Sequence, residues 1–267
     1  MDISAYLHRI RYTGPLQPTA STLRDLHLAH LLAVPFENLD IHLGRPIALD
    51  LEALYHKVVD QHRGGFCYEL NGLFAHALIE LGYRVILLSA SDSHADGTWG
   101  PEYDHLTLMV QCPDEDSLPW LVDVGWGDSF RVPLRLNDTG VQEERESGRA
   151  YRLDMVGDDQ ILWQRDEKGA WEQQYGFTRR PRAFQDYAGM CLYHQRSVKS
   201  PFTRKRLCTI ATPDGRITLS DTRLITTSNG VRDEKVIGDD AEYRNLLRAH
   251  FGVDLDDTAR WIKPEVI

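Results

Sequence analysis

Residues 63–74 read Arg63-Gly64-Gly65-Phe66-Cys67-Tyr68-Glu69-Leu70-Asn71-Gly72-Leu73-Phe74, and this stretch constrains the fold more than any other. From Phe66 the apolar residues recur at Leu70, Leu73, Phe74, Ala77, Leu78 and Leu81, and Gly82 follows. Steps of four, three and one with a terminal glycine predict a helix with one buried face. Cys67 then lies in its first turn, directly behind a glycine pair. A thiol there feels the positive end of the helix dipole, which favours the thiolate. The glycines would let the backbone turn sharply and let a substrate approach without a Cβ in the way. The alternative is an inert cysteine buried as a small hydrophobe. A base and an orienting carboxylate elsewhere in the chain would decide between the two.

The chain has 267 residues, enough for one large domain or several packed subdomains. A formal net charge of -10 argues against nucleic acid as a partner, because phosphate binding needs a basic surface. No apolar run is long enough to cross a bilayer, so no membrane association is expected. The opening Met1-Asp2-Ile3-Ser4-Ala5-Tyr6 lacks the basic and apolar regions of a secretion signal. Cys67, Cys112, Cys191 and Cys208 are widely spaced, without a C-x-x-C pair. They read as reduced thiols of a cytoplasmic protein, with no metal site expected.

Residues 1–85 read as helical and carry Cys67. Asp2 and Asp50 are placed to cap helices, and another helix begins near Ser21 and ends at Pro35. From residue 86 to about 190 the pattern becomes that of strands. Val85-Ile86-Leu87-Leu88 is a compact apolar run, and a polar loop from Ser91 to Glu102 follows. His105 to Val110 alternates, and Pro119 to Gly125 forms a further strand. Strands are also expected near Tyr151–Leu153 and Ile161–Trp163, with Asn137 to Arg149 as a loop. This middle third is read as an antiparallel sheet or small barrel. Residues 191–267 hold a hairpin turning at Pro213-Asp214-Gly215, a second at Asn229-Gly230, and a closing helix from Asp240 to His250.

Among eleven histidines, His105 is distinguished by opening a strand, with Asp123 inside the next one. Two adjacent antiparallel strands can bring such a pair within hydrogen-bond reach. A buried aspartate needs a partner, since an unpaired buried charge is costly. Taken singly, Asp123 reads rather as a turn or capping residue before Gly125, and His105 as a satisfied strand-end histidine.

The stretch 63–71, preceded by Pro35-Phe36-Glu37-Asn38-Leu39 and followed by Val122-Asp123-Val124-Gly125-Trp126-Gly127, resembles the arylamine N-acetyltransferase family. Ser200-Pro201-Phe202-Thr203 and the hairpin from Pro213 to Leu219 are similar to that family as well. The resemblance spans nearly the whole chain. It implies an α+β, cysteine-peptidase-like fold: a helical bundle, an antiparallel β-barrel and an α/β lid. It also implies a catalytic triad on Cys67, His105 and Asp123, with acetyl-CoA as acyl donor and an arylamine or hydrazine as acceptor, through an acetyl-cysteine intermediate. Phe36, Trp126, Gly127 and Phe130 are expected to form a flat acceptor pocket, and Phe202 to border the CoA cleft. Core packing is an equally good account of each aromatic residue alone. Glu37 is expected to pair with Arg63 behind the nucleophile, and a homodimer is left open. The sequence departs from the family's usual pattern at Trp126, at Tyr103-Asp104 and through the Ser91–Glu102 loop, which bears on acceptor choice. Rival readings are a hydrolase that passes the acyl group to water, an amide synthase that does not use acetyl-CoA, and a non-catalytic small-molecule binder.

Overall fold

The computed structural model describes residues 1–264 except 95, 114–117, 145–146, 166–167 and 257. Helices dominate up to residue 80. The Asp2 carboxylate caps α1 (Ile3–Arg9) by accepting from the Ser4 and Ala5 N–H groups. α2 (Ala20–Ala33) is capped by Thr19, which accepts from the Thr22 N–H. Two short elements follow that the sequence does not announce, strand β1 (Phe36–Glu37) and helix α3 (Leu39–His42). Asp50 caps α4 (Leu51–Tyr55), which continues as a wider π-type turn, His56–Asp60. The opening motif forms α5 (Cys67–Glu80), and eleven of its fourteen residues are buried, so it is enclosed nearly all round rather than along one face.

Eight antiparallel strands follow: β2 (Arg84–Asp92), β3 (His105–Gln111), β4 (Trp120–Val122), β5 (Leu134–Arg135), β6 (Gln142–Glu144), β7 (Arg149–Val156), β8 (Asp159–Arg165) and β9 (Trp171–Phe177). Their order is β5-β4-β3-β2-β9-β8-β7-β6. The two edges meet through Gln142, whose side chain accepts from the Arg135 N–H at 2.7 Å and donates to the Arg135 carbonyl at 3.0 Å. This nearly closes a barrel around Leu88, Leu121, Phe130, Leu153, Leu162 and Phe177. The segment expected as a loop from Asn137 to Arg149 therefore contains β6, and β2 runs on into the expected Ser91–Glu102 loop as far as Asp92.

After α6 (Ala188–Arg196), strands β10 (Leu207–Thr212), β11 (Gly215–Ser220), β12 (Arg223–Ser228) and β13 (Val231–Val236) form a second antiparallel sheet. Asn229 and Gly230, with φ of 49° and 78°, make the turn between the last two strands, as a type I′ hairpin requires. The closing helix α7 (Asp240–Leu246) leads into the turn Leu247–Phe251, and Tyr243, Leu247 and Phe251 pack with Cys208 and Leu219 of this sheet. β1 joins the same sheet beside β10, with Phe36 opposite Thr209 and Glu37 opposite Cys208. The architecture is α+β: a helical bundle, an antiparallel β-barrel and an α/β lid. No helix among the described residues is long and apolar enough to cross a membrane.

Candidate active site

The glycine pair serves the chain's own packing. Neither Gly64 nor Gly65 has a left-handed φ. A Cβ on Gly64 would lie 1.9 Å from the Pro35 carbonyl oxygen, and one on Gly65 would lie 2.7 Å from the Glu69 side chain. The sharp turn expected of them is absent; close approach of β1 and α5 is what excludes a side chain. Phe36 forms a parallel bridge with Gly65, and the Glu37 N–H donates to the Gly65 carbonyl at 2.9 Å.

Behind this loop lies a buried charge cluster. Arg63 donates from Nε to Glu37 Oε1 at 2.8 Å and from a terminal nitrogen to Asp40 Oδ1 at 2.9 Å. Lys57 contacts Asp40 and Glu69, both at 2.7 Å. Glu69 also accepts from the Phe66 N–H at 3.0 Å, satisfying an orphan donor at the start of α5. Three carboxyls face two cations here. Burial, only partly offset by Lys57, pushes the Glu69 carboxyl up to about 7, with Asp40 and Glu37 adding to the rise. Burial also opposes the charge on Asp40, but Lys57 and Arg63 outweigh it and hold that carboxyl down at about 2. Lys57 itself is held charged, its affinity for a proton raised by Glu69 and Asp40 against the effect of burial. The two members of the Lys57–Glu69 pair thus point opposite ways. With one acid in excess, Glu69 is the carboxyl whose charge the cluster disfavours most.

Cys67 is the first residue of α5 and only 3% exposed. The helix-start position would lower its pKa, but burial dominates and pushes the thiol well above its ordinary value. A backbone hydrogen bond from Leu106 acts in the opposite direction, while the Asp92 and Asp123 charges add to the rise. Burial thus opposes the thiolate that the helix start favours.

The two other residues singled out in the sequence, His105 and Asp123, are paired. His105 opens β3, Asp123 directly follows β4, and His105 Nε2 meets Asp123 Oδ2 at 2.6 Å. Every lone-pair direction of the carboxylate is used. Oδ2 also accepts from the Tyr175 hydroxyl at 3.0 Å, and Oδ1 accepts from Asn71 at 2.8 Å and from the Gly125 N–H at 2.9 Å. Burial disfavours the Asp123 charge, yet His105 and these donors prevail and hold the carboxyl below its ordinary value. Burial likewise pushes His105 down, but Asp123, with Asp92 and Asp104 adding, carries it above its ordinary value. Nε2 is committed to Asp123, which leaves Nδ1 for proton transfer.

Asn71 locks the helix that begins at Cys67 to this pair. It lies one turn beyond Cys67, and its amide donates to the Leu106 carbonyl at 2.6 Å and to Asp123 while accepting from the Val124 N–H at 2.9 Å. Gly125 sits against Cys67, where a Cβ would come within 2.8 Å of the Cys67 Cα. On the far side, His27 of α2 hydrogen-bonds the Asp123 carbonyl at 3.0 Å and the Arg131 carbonyl at 2.9 Å. Tyr68 fixes the turn before β3, its hydroxyl within reach of the Tyr103 and Asp104 carbonyls at 2.7 and 3.0 Å.

The aromatic residues separate into groups. Trp126 is half-buried with its ring 4.8 Å from both His105 and Tyr175. Gly127, at φ 90°, faces Phe36. Phe36 in turn lies 6.1 Å from Phe202, which packs edge-on to Phe66 at 5.7 Å. Phe130 is fully buried and stacks on His27 at 5.7 Å, inside the barrel core. The sequence reading missed Asn71, Tyr175, His27 and Asp92. Asn71 left a trace, a polar residue four positions from Cys67 on a buried helix, whereas Tyr175 lies on a strand that the sequence does not announce.

The comparisons with known proteins concern the family and the fold. The family model described as N-acetyltransferase matches residues 19–260. An arylamine N-acetyltransferase from Mycolicibacterium smegmatis is 36% identical over 263 residues, covering 97% of this chain and 94% of the relative. The solved structure of Mycobacterium marinum arylamine N-acetyltransferase in complex with CoA superposes with a TM-score of 0.87 at 35% identity, covering 94% of this chain and 93% of that one. The arylamine N-acetyltransferase structure from M. tuberculosis gives a TM-score of 0.89 at 33% identity, covering 97% and 96%. With a family model spanning most of its length and relatives matched nearly end to end, the chain belongs to the arylamine N-acetyltransferase family, whose chemistry is the transfer of an acetyl group.

Proposed function

We propose that this chain transfers acetyl from acetyl-CoA to the nitrogen of arylamines, arylhydrazines or similar acceptors, in two half-reactions through Cys67. The observation that carries this reading is the 2.6 Å His105–Asp123 pair tied through Asn71 to the helix that begins at Cys67. His105 Nδ1 takes the Cys67 proton, giving a thiolate–imidazolium pair. Asp123 fixes the tautomer and stabilises the imidazolium. The thiolate attacks the thioester carbonyl, the C–S bond to CoA breaks, and CoA leaves as a thiol with the proton from His105. One thioester replaces another, so the acyl group stays activated. The neutral amine then attacks, its proton passes to His105, and the Cys67 thiolate is released. Backbone N–H groups at Cys67 and a neighbouring segment are assigned to the oxyanion.

Trp126, Gly127 and Phe36 are assigned to the acceptor pocket, with Phe130 supporting it through His27. Phe202, beside Phe36 and Phe66, is assigned to the border of the CoA cleft. A reducing, cytoplasmic setting is assigned from the wide spacing of the cysteines, of which Cys67, Cys191 and Cys208 are free thiols. Intact-protein mass spectrometry tests the covalent step: acetyl-CoA alone should add one acetyl group to the wild type and none to Cys67→Ala. Addition of 4-methylaniline should remove it as acetanilide product. Absence of the adduct, or its loss to water at the same rate without amine, sinks the reading.

A further inference from the structure

β2 ends at Asp92, and strand pairing fixes the face that carries this side chain. Ala90 stands opposite both His105 and Phe177, and Asp92 stands opposite Tyr175. Cross-strand partners and alternate residues share a face, so Asp92, Tyr175 and His105 all lie on the inner side of the barrel. The other acids here have partners. Asp123 has its four donors, and Asp104 Oδ1 meets His194 Nε2 at 3.1 Å. Asp92 Oδ1, by contrast, is shielded from solvent with no hydrogen-bond partner among the described residues. A buried acceptor left unpaired is costly and calls for a functional account. Burial pushes this carboxyl up to about 6; the charges acting on it are His105, His194 and His94, which lower it, and Asp104, which raises it.

We propose that Asp92 is a specificity-determining residue that receives an N–H or cationic group on the amine acceptor, favouring acceptors with a second basic nitrogen. The inference rests on the reading above. A carboxylate at this point repels the phosphates of CoA, so its complement is the second substrate. The acceptor must place its nitrogen within reach of His105, the charge nearest in influence to Asp92. In the acetyl-enzyme His105 is neutral, its proton having left with CoA, so Asp92 lacks a cation until the acceptor brings one. The Trp126 ring beside His105 offers the same cation an aromatic face.

The test compares kcat/KM for three acceptors of similar size: 4-(aminomethyl)aniline, 4-ethylaniline and 4-aminophenylacetate. In the wild type at pH 7.5 the cationic acceptor should exceed the neutral one by about tenfold, equivalent to ~1.4 kcal/mol. The anionic acceptor should rank last. In the isosteric Asp92→Asn the cationic-to-neutral ratio should fall to within about twofold of unity. A measurement without any variant accompanies it: the wild-type ratio should decline as pH falls through 6, where the Asp92 carboxyl protonates. Titration of His105 affects both acceptors and cancels in the ratio. A ratio unchanged by both Asp92→Asn and acid overturns the assignment. Failure of the wild type to acetylate 4-ethylaniline at all would instead refute the arylamine reading itself.

Discussion

Replacing Arg63 with methionine tests whether the buried charge cluster holds the loop before Cys67 in place. The side chain is 3% exposed, and methionine replaces its aliphatic stem but not its guanidinium, so the change removes the charge and donors and leaves some space. Three carboxyls, Glu37, Asp40 and Glu69, face Lys57 and Arg63, a formal balance of 2 − 3 = -1. In Arg63→Met it becomes 1 − 3 = -2. Glu37 keeps the Leu39 N–H as a donor at 2.7 Å but loses its cation. Breaking a buried ion pair from one side costs about 3–5 kcal/mol. For a chain of this size that lowers Tm by roughly 6–15 °C. The sign of the pH dependence follows from the carboxyls. In the parent, Asp40 is held at about 2, so its contribution is present above its ordinary range and is lost only as pH falls through 2. In the variant the unpaired carboxyls rise above their unfolded values, so their penalty is absent at acid pH and grows as pH rises. Urea melts at pH 5 and 8 should therefore show the gap between parent and variant widening toward pH 8. Glu37→Gln added to Arg63→Met should recover about 1–2 kcal/mol by removing the orphaned charge. A cost below ~1 kcal/mol, or a gap that does not move between pH 5 and 8, refutes the reasoning.

Gly64→Ala should lower stability by about 1–3 kcal/mol and cut acetyl transfer, since the new methyl group meets the Pro35 carbonyl and must push β1 off α5. Thermal melts with a turnover assay check this, and wild-type behaviour in both would contradict the packing account. Asp123→Asn should keep the fold but lose about 10³–10⁴-fold in kcat. Removing the carboxylate that raises His105 should also move the acidic limb of its pH–rate profile to lower pH. A limb that stays in place would remove Asp123 from control of His105.

Much of this architecture is legible in the chain because local signals and burial agree. The helix at Cys67, the caps at Asp2 and Asp50, and the Asn229-Gly230 hairpin follow from spacing and turn chemistry. The Arg63–Glu37 pairing follows from the need of buried charges for partners. Other features are set by tertiary context. β9 reads Trp-Glu-Gln-Gln-Tyr-Gly-Phe and lacks clean alternation, so neither the strand nor the Tyr175 hydroxyl on Asp123 is visible in advance. β1 is two residues long and exists because β10 and Gly65 lie beside it. The helix start suggests an acidic thiol, but burial of Cys67 acts against the dipole, which no local pattern reveals. The glycine pair is prominent in sequence for a reason sequence does not state, the nearness of Pro35 and Glu69.

The stitching of residues 36–38 to the last third has a consequence for synthesis on the ribosome. The Asn38 amide donates to the Phe202 and Lys205 carbonyls and its oxygen accepts from the Leu207 N–H, across separations of 164, 167 and 169 residues. The segment that braces Gly65 therefore gains these partners only after β10 has left the exit tunnel. A nascent chain stalled before that point carries Cys67, His105 and Asp123 without the strand that holds the loop before Cys67 in register. Such contacts slow folding and favour completion after release, so competence arrives with the final third rather than with the nucleophile.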